Sequence, residues 1–332
     1  MKLLYGTATG CNGLLNMSVQ QSHSASTSTG IVKCHTTNRD IGDAISINLG
    51  FTDDHGELFS GRVKMIQHDV PEDVYTLTCQ DELIKAIDYF IVSNDPEVPY
   101  TWNHIAAEDL VWNVLSMANI TEYEHQDTNF ILGINANADV NLVSSYDYAR
   151  MIGNIVTWSV WCDSSGVIQF RNRKPYPMHG TSGQPGDVAD VPLSYTLNDT
   201  KTTNFSYRIS EENLRNKVVL YGGSGVYAEA SATSPYLPNL PGRPFYKAMA
   251  VGTELVDVQE YADAAVAYNL EMYNRLDRNA TATVLGNHLL QARSVIHVDE
   301  AYSGVHENMY IFGANHSWST SGYTVELTLK GE

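Results

Sequence analysis

Residues 40–81 read DIGDAISINLGFTDDHGELFSGRVKMIQHDVPEDVYTLTCQD, and this stretch repeats one structural idea without a break. Ala44–Gly50 alternates Ile45, Ile47 and Leu49 with Ser46 and Asn48, the period-2 pattern of a strand with one buried and one wet face. Asp53-Asp54-His55-Gly56 then supplies residues that tolerate a tight turn, and Leu58–Gln67 returns with apolar positions at Leu58, Phe59, Val63 and Met65. A second turn over Asp69–Asp73 leads into a third strand, in which Val74, Thr76 and Thr78 alternate with Tyr75, Leu77 and Cys79. Asp81 stands as N-cap to a short helical run, Glu82–Asp88.

Outward from this meander, residues 13–38 are polar and rich in Ser and Thr, with flanking alternation that suits strands with one solvated face. Residues 1–94 therefore form one mostly-β unit with one helix, a barrel or two-layer sandwich. Ser93–Pro99, with two prolines, marks a boundary. In residues 95–175, Ala107, Leu110, Val111, Val114, Leu115 and Ala118 recur at helical spacing behind Asn103 as candidate cap. A second helix opens at Ser144 with Asp147 in capping-box position, and Trp158–Phe170 reads as a hairpin through Asp163-Ser164-Ser165-Gly166. This is a small α+β unit. Residues 176–200 form a Gly- and Pro-rich linker or loop. In residues 201–332 strands are expected at Thr202–Ile209, Lys217–Tyr221, Ala280–Leu285, Ser294–Val298, Asn308–Ala314 and Tyr323–Leu329. A long helix over 257–276 buries Tyr261, Ala265, Tyr268, Met272 and Leu276. A strand set with one helix thus stands at each end of the chain, without a visible residue-level repeat.

Composition narrows the function. The 332 residues carry a formal net charge of −18, which argues against generic binding to nucleic acid or to an anionic membrane, since both need clustered Lys and Arg. No run approaches the length of a membrane span, and Lys2-Leu3-Leu4-Tyr5 passes at once into Gly6, Thr7 and Gly10, which argues against export by a signal peptide. Cys11, Cys34, Cys79 and Cys162 are too scattered for a disulfide framework or zinc site and read as reduced, half-buried strand thiols.

Constellations that could carry chemistry fall short. Gly222-Gly223-Ser224-Gly225 lacks the Lys-Ser/Thr of a phosphate loop and misses the G-x-S-x-G elbow by one position, so it reads as a turn. His297, Asp299, Glu300, His306 and Glu307 are dense but without tight ligand spacing, and a wet sheet face outweighs a metal site. His104 and Glu108, four apart on a helix, read as a surface pair. Asp53, Asp54 and Glu57, or Asp69, Glu72 and Asp73, could be offered as the carboxylates of a glycan hydrolase, yet both groups sit in turns where Asp stays solvated. Trp158 and Trp161 could stack on sugars as in an adhesin, but they fall on opposite faces of one strand. No catalytic, cofactor-binding or metal-binding residue is therefore assigned, and no cofactor is expected.

The order of segments carries a resemblance. The glycine-led strand, the GELFSG turn and strand, and the segment ending in TCQD before a short helix come first. The helices Ala106–Ala118 and Ser144–Val156, the hairpin Trp158–Arg171, the strand Asn213–Gly222 and the closing YIFGANHSWSTSGYTVELTLKG follow in sequence. In this order the chain resembles the central baseplate hub proteins of contractile-tail bacteriophages, the late-control-protein-D-like tail hubs. The resemblance implies a mainly β fold with two tail-tube-like barrel or sandwich domains, each with one helix, plus a small α+β domain. It implies a structural, non-enzymatic virion protein of the tail baseplate, assembled in the host bacterial cytoplasm. Such a hub is a homotrimer that presents a pseudo-sixfold ring and joins the hexameric tail tube to the central spike. It forms part of the channel for DNA and neighbours the tape-measure and baseplate wedge proteins. Related secretion machinery and non-contractile tails use similar domains. A tail-associated glycan hydrolase and a carbohydrate-binding adhesin are the alternatives.

Overall fold

The computed structural model describes residues 3–95, 97–135, 137–156, 158–172, 193–198, 200–238, 241–242 and 245–331. The expected linker over 176–200 lies mostly outside them. The first unit comprises β1 (Leu4–Ala8), β2 (Cys11–Ser22), β3 (Thr29–Thr37), β4 (Ala44–Phe51), β5 (Asp54–Asp69), β6 (Val74–Asp81) and α1 (Ile84–Asp88). Its strands pair in the order β1-β4-β5-β6-β3-β2 and curl until β1 meets β2. At that seam Gly6 lies so close that a Cβ would sit 2.6 Å from Met17 and 2.7 Å from the Trp318 ring, so only hydrogen fits. Ile45, Ile47 and Leu49 are buried as their alternation requires.

Met65 departs from its expected place. A bulge between Val63 and Met65 inserts one residue into β5, so the faces exchange: Val63 is buried, Ile66 packs on the core and Met65 is 50% exposed.

The middle of the chain is assembled from short pieces. They are β7 (Phe90–Ile91), β8 (Tyr100–Trp102), β9 (Ile105–Ala106), α2 (Ala107–Met117), β10 (Tyr123–His125), β11 (Ile131–Leu132), β12 (Ala138–Val140), β13 (Val143–Ser144), α3 (Ser145–Val156), β14 (Ser159–Cys162) and β15 (Ile168–Arg171). The capping box at α3 is made: the Asp147 N–H donates to Ser144 Oγ at 3.0 Å, and Ser144 Oγ donates to the Asp147 carboxylate at 2.8 Å. Asn103 does not cap α2. Its N-terminus is held instead by the Ala107 N–H donating to the Phe130 carbonyl at 2.9 Å.

The last part holds β16 (Thr196–Asn198), β17 (Thr202–Ser210), β18 (Lys217–Tyr221), β19 (Tyr227–Ser231), β20 (Ala248–Gly252), α4 (Gln259–Tyr273), β21 (Asp277–Leu285), β22 (Val295–Glu300), β23 (Val305–Ser319) and β24 (Gly322–Gly331). β18, β19 and β20 form a separate small sheet under α4, while the other strands pair in the order β17-β21-β24-β23-β22-β16. The buried stripe of α4 is Ala262, Ala265, Val266 and Asn269; of the expected row Ala265 is buried, Tyr261, Tyr268 and Met272 are half-buried, and Leu276 lies beyond the helix. Small alanine side chains let the helix lie close on β18 and β19, and Tyr261 and Tyr268 flank the contact against Phe130.

Two apolar cores result. One gathers α1 to α4 and the small sheets, and the other joins the strands of both barrels through β2 and β23, which pair antiparallel from Asn16↔Ser319 to Ser22↔Gly313. The chain is thus mainly β, with two barrel-like strand sets and a small α+β part. No helix among the described residues is long and apolar enough to cross a membrane.

Candidate functional site

The residues that could have carried chemistry are dispersed into structural roles. Asp299 and His306 face each other across the β22–β23 ladder at 2.6 Å, His297 Nδ1 lies 3.1 Å from Asn308, and Glu307 pairs with Arg278 at 3.0 Å. The Glu300 carboxylate accepts the Tyr302 and Ser303 N–H groups of its own turn. No group of three His, Cys, Asp or Glu side chains among the described residues is arranged to hold a metal. Glu108 is buried rather than part of a surface pair with His104, because its carboxylate accepts the Thr128 hydroxyl at 2.5 Å. Asp54 stands 3.6 Å from His288, and Asp73 pairs with His68 at 3.1 Å; both lie at strand ends. Burial and the neighbouring Asp163 raise the Glu57 carboxyl.

The tryptophans are occupied as well. Trp158 is buried against Phe170 with ring centroids 5.3 Å apart, and the Arg293 guanidinium lies 5.1 Å over Trp161. All four cysteines are free and buried. The 222–225 segment is a tight turn, with the Gly222 N–H donating to the Val226 carbonyl at 2.8 Å.

Three polar nodes inside the protein were not legible beforehand. Asp81 does more than precede a helix. Its carboxylate accepts the Ser28 N–H at 2.5 Å and the Leu83 N–H at 3.1 Å, while burial pushes its pKa up to about 7 against those two bonds. Arg293 donates to the carbonyls of Ser22 and His23 at 3.2 and 3.4 Å and so ties the β2–β3 connection to the start of β22 and, through Trp161, to the α+β part. Burial, with Arg293 and Lys330 nearby, holds His23 down to about 3. His316 lies in β23 where β2 pairs with it, 2.7 Å from the Tyr323 hydroxyl and 3.1 Å from the Leu290 carbonyl.

A cleft of 540 Å³ opens between the two cores, lined by Trp158, Met249, Met272, Tyr273, Phe312 and Lys330 among others. Its charged groups serve the fold. Lys330 lies 4.5 Å over the Phe312 ring, and the Asp277 carboxylate accepts Asn213 Nδ2 at 2.9 Å.

What the surface offers instead is unpaired strand edge. Among the described residues, the barrel strands leave β17 with one neighbour, and β5 with one free edge beyond Val63, because β4 pairs only as far as Arg62. Large apolar side chains sit on these edges exposed: Ile209 at 52%, Met65 at 50% and, in the turn after β5, Val70 at 74%. Open, apolar strand edges are pairing surfaces unless something covers them.

Known proteins supply the remaining comparison. No family model matches the chain, and no curated protein matches it in sequence. Among solved structures it is similar to the 43 kDa tail protein of prophage MuSo2 from Shewanella oneidensis, with TM-score 0.68 and 12% identity over 99% of this chain and 98% of that one. It is similar also to the tail protein from Neisseria meningitidis MC58, with TM-score 0.67 and 12% identity over 99% and 96% of the two chains. An Escherichia coli component of the type VI secretion system, itself structurally similar to bacteriophage T4 tail proteins gp27 and gp5, matches with TM-score 0.56 and 9% identity over 98% and 76%. By fold, the chain therefore stands with phage tail proteins, the fold expected of the baseplate hub family that its sequence resembles.

Proposed function

We propose that the chain is a structural subunit of a phage tail baseplate: a homotrimeric hub that joins the hexameric tail tube to the central spike and lines part of the channel for DNA. The observation that carries this reading is the match along almost the whole chain to two phage tail proteins. Open strand edges support it, because a subunit whose edges carry exposed apolar side chains is built to be covered by others. The net charge of −18 suits a conduit from which DNA must not be held. In this reading the protein has no catalytic role, resides in the virion after assembly in the host cytoplasm, and meets tube, spike, tape-measure and wedge proteins. In this reading residues 1–94 and 201–332 supply its two tube-like domains, the second completed by β16 at 196–198, and 95–175 is its insert, on whose core β18, β19 and α4 of the last part pack.

Light scattering on the purified full chain tests the self-association, with a species three times the chain mass expected. Capture of the tube and spike proteins of the same particle tests the adaptor role. A chain that stays monomeric at high concentration and captures neither protein would refute the proposal.

A further inference from the structure

The two barrels are a repeat, visible in backbone geometry and hidden in side chains. The cyclic strand order β1-β4-β5-β6-β3-β2 is matched position for position by β16-β22-β23-β24-β21-β17. Only the first strand differs in direction, since β1 is antiparallel to β4 and β16 parallel to β22. The irregularities coincide. The bulge of β2 at Leu14/Asn16, where Leu14 faces Cys34, recurs in β17 at Thr202/Asn204, where Thr202 faces Val284. The bulge of β5 at Val63/Met65 recurs in β23 at Ile311/Gly313. The approach to each bulge is fixed by the same two bonds: Val63 N–H to Asp43 O and Gly42 N–H to Val63 O in one barrel, Ile311 N–H to Ser294 O and Arg293 N–H to Ile311 O in the other. Gly42 and Arg293 even share a positive φ, 92° and 72°.

One half of the repeat has a partner that the other lacks. In the second barrel the edge of β23 beyond its bulge is filled by β2 of the first. Among the described residues, the equivalent edge in the first barrel, Lys64–Asp69 of β5, is open, and in the second the strand equivalent to β2, which is β17, has a free edge. We infer that β17 of one copy of this chain pairs antiparallel with Lys64–Asp69 of β5 in a neighbouring copy, repeating between chains the β2–β23 junction made within each. The inference rests on the self-association proposed above and names the surfaces that perform it.

The repeat also sets the register. Val19↔His316, Gln20↔Asn315, Gln21↔Ala314 and Ser22↔Gly313 transpose to Tyr207↔His68, Arg208↔Gln67, Ile209↔Ile66 and Ser210↔Met65. Side chains agree with it. Ile209, half exposed in the single chain, meets Ile66, and Phe205 meets the exposed Val70. Arg208 on the opposite face lies diagonal to Asp69, within reach for a cross-strand charge pair. Each copy offers one edge of each kind, so the contact is heterologous, and in the trimer proposed above it closes into a ring that leaves neither of these two edges unpaired.

The full chain tests this. Within the β2–β23 junction the His23 N–H donates to the Phe312 carbonyl, which places Gln20↔Asn315, and hence Arg208↔Gln67, among the pairs that exchange no backbone bonds. Their Cα atoms would stand about 4.5 Å apart, within disulfide range. Chains carrying Arg208→Cys are mixed with chains carrying Gln67→Cys and oxidised; Ile66→Cys in place of Gln67→Cys is the register-shifted control. A covalent dimer is expected from the mixture, at least tenfold above the control and above either variant alone. An assembled species that fails to cross-link, or cross-links through the control, overturns the pairing and leaves self-association standing. No assembled species at all overturns both. A second variant, Ile209→Pro, removes an N–H that points off the free edge; it should dissociate the assembly while leaving the melting of the single chain unchanged, and an undiminished assembly overturns the inference.

Discussion

His316 makes the junction between the barrels sensitive to acid. The Leu290 carbonyl can only accept, so Nε2 carries the proton and Nδ1 accepts from the Tyr323 hydroxyl, which fixes a neutral imidazole in a site with no exposed surface. Burial, the largest cause, brings its pKa from 6.5 to about 4. Between these values the unfolded chain binds the proton and the folded chain does not, so stability is complete above about pH 6.5 and declines as the pH falls towards 4. The whole interval corresponds to about 3 kcal/mol, of which about 2 kcal/mol is already lost at pH 5. Urea unfolding of the wild type and of His316→Gln at pH 7 and pH 5 isolates this contribution. The glutamine costs something at both pH values, and the buried His23 titrates in both proteins, so the quantity to read is the change in the difference between them. The wild type should lose about 2 kcal/mol more than the variant on going to pH 5. Parallel losses would show that His316 does not resist protonation and would refute the reasoning.

Further outcomes can be checked by similar means. Arg293 holds φ at 72° while binding two carbonyls and covering Trp161. Arg293→Ala should therefore cost about 2 kcal/mol in denaturant unfolding, and Arg293→Gly about 1 kcal/mol less, because glycine relieves the left-handed strain that alanine keeps. Gly61→Ala places a Cβ 2.3 Å from the Gln80 carbonyl oxygen and 2.8 Å from the Asp81 Cα, atoms of a paired backbone; a loss of about 1 to 3 kcal/mol in the same assay is expected. Burial pushes Cys34 and Cys79 up to about 12 and raises Cys162 as well. A thiol reagent at pH 8 should label none of these three in the folded chain and all of them in urea, and rapid labelling of the native protein would contradict the packing.

Much of the fold was legible because it depends on local pattern. Ile45, Ile47 and Leu49 fall on one side of β4 for the geometric reason that successive strand residues alternate, and Ser144 with Asp147 caps α3 through bonds that span three residues. Met65 marks where that logic ends: the bulge before it is a property of the pairing with β6, and one inserted residue reverses which side chains face out. The buried face of α4 was misplaced for a related reason, since close approach to β18 and β19 selects alanines over the larger tyrosine and methionine that hydrophobicity alone favours.

The candidate surface lay further from view. Residues 40–81 determine by themselves that the chain opens as a β meander, and the strong acidic excess argues against generic binding to nucleic acid or to an anionic membrane. That β2 and β23 are neighbours, that Arg293 stands where Gly42 stands, and that β17 and the far end of β5 have open edges among the described residues, only the tertiary structure decided. Alternation and turn residues are carried by side chains along a few consecutive positions, whereas register, bulges and free edges are set by backbone hydrogen bonds between strands, at the β2–β23 junction between segments about 300 residues apart, and the backbone is the same whatever side chains it bears.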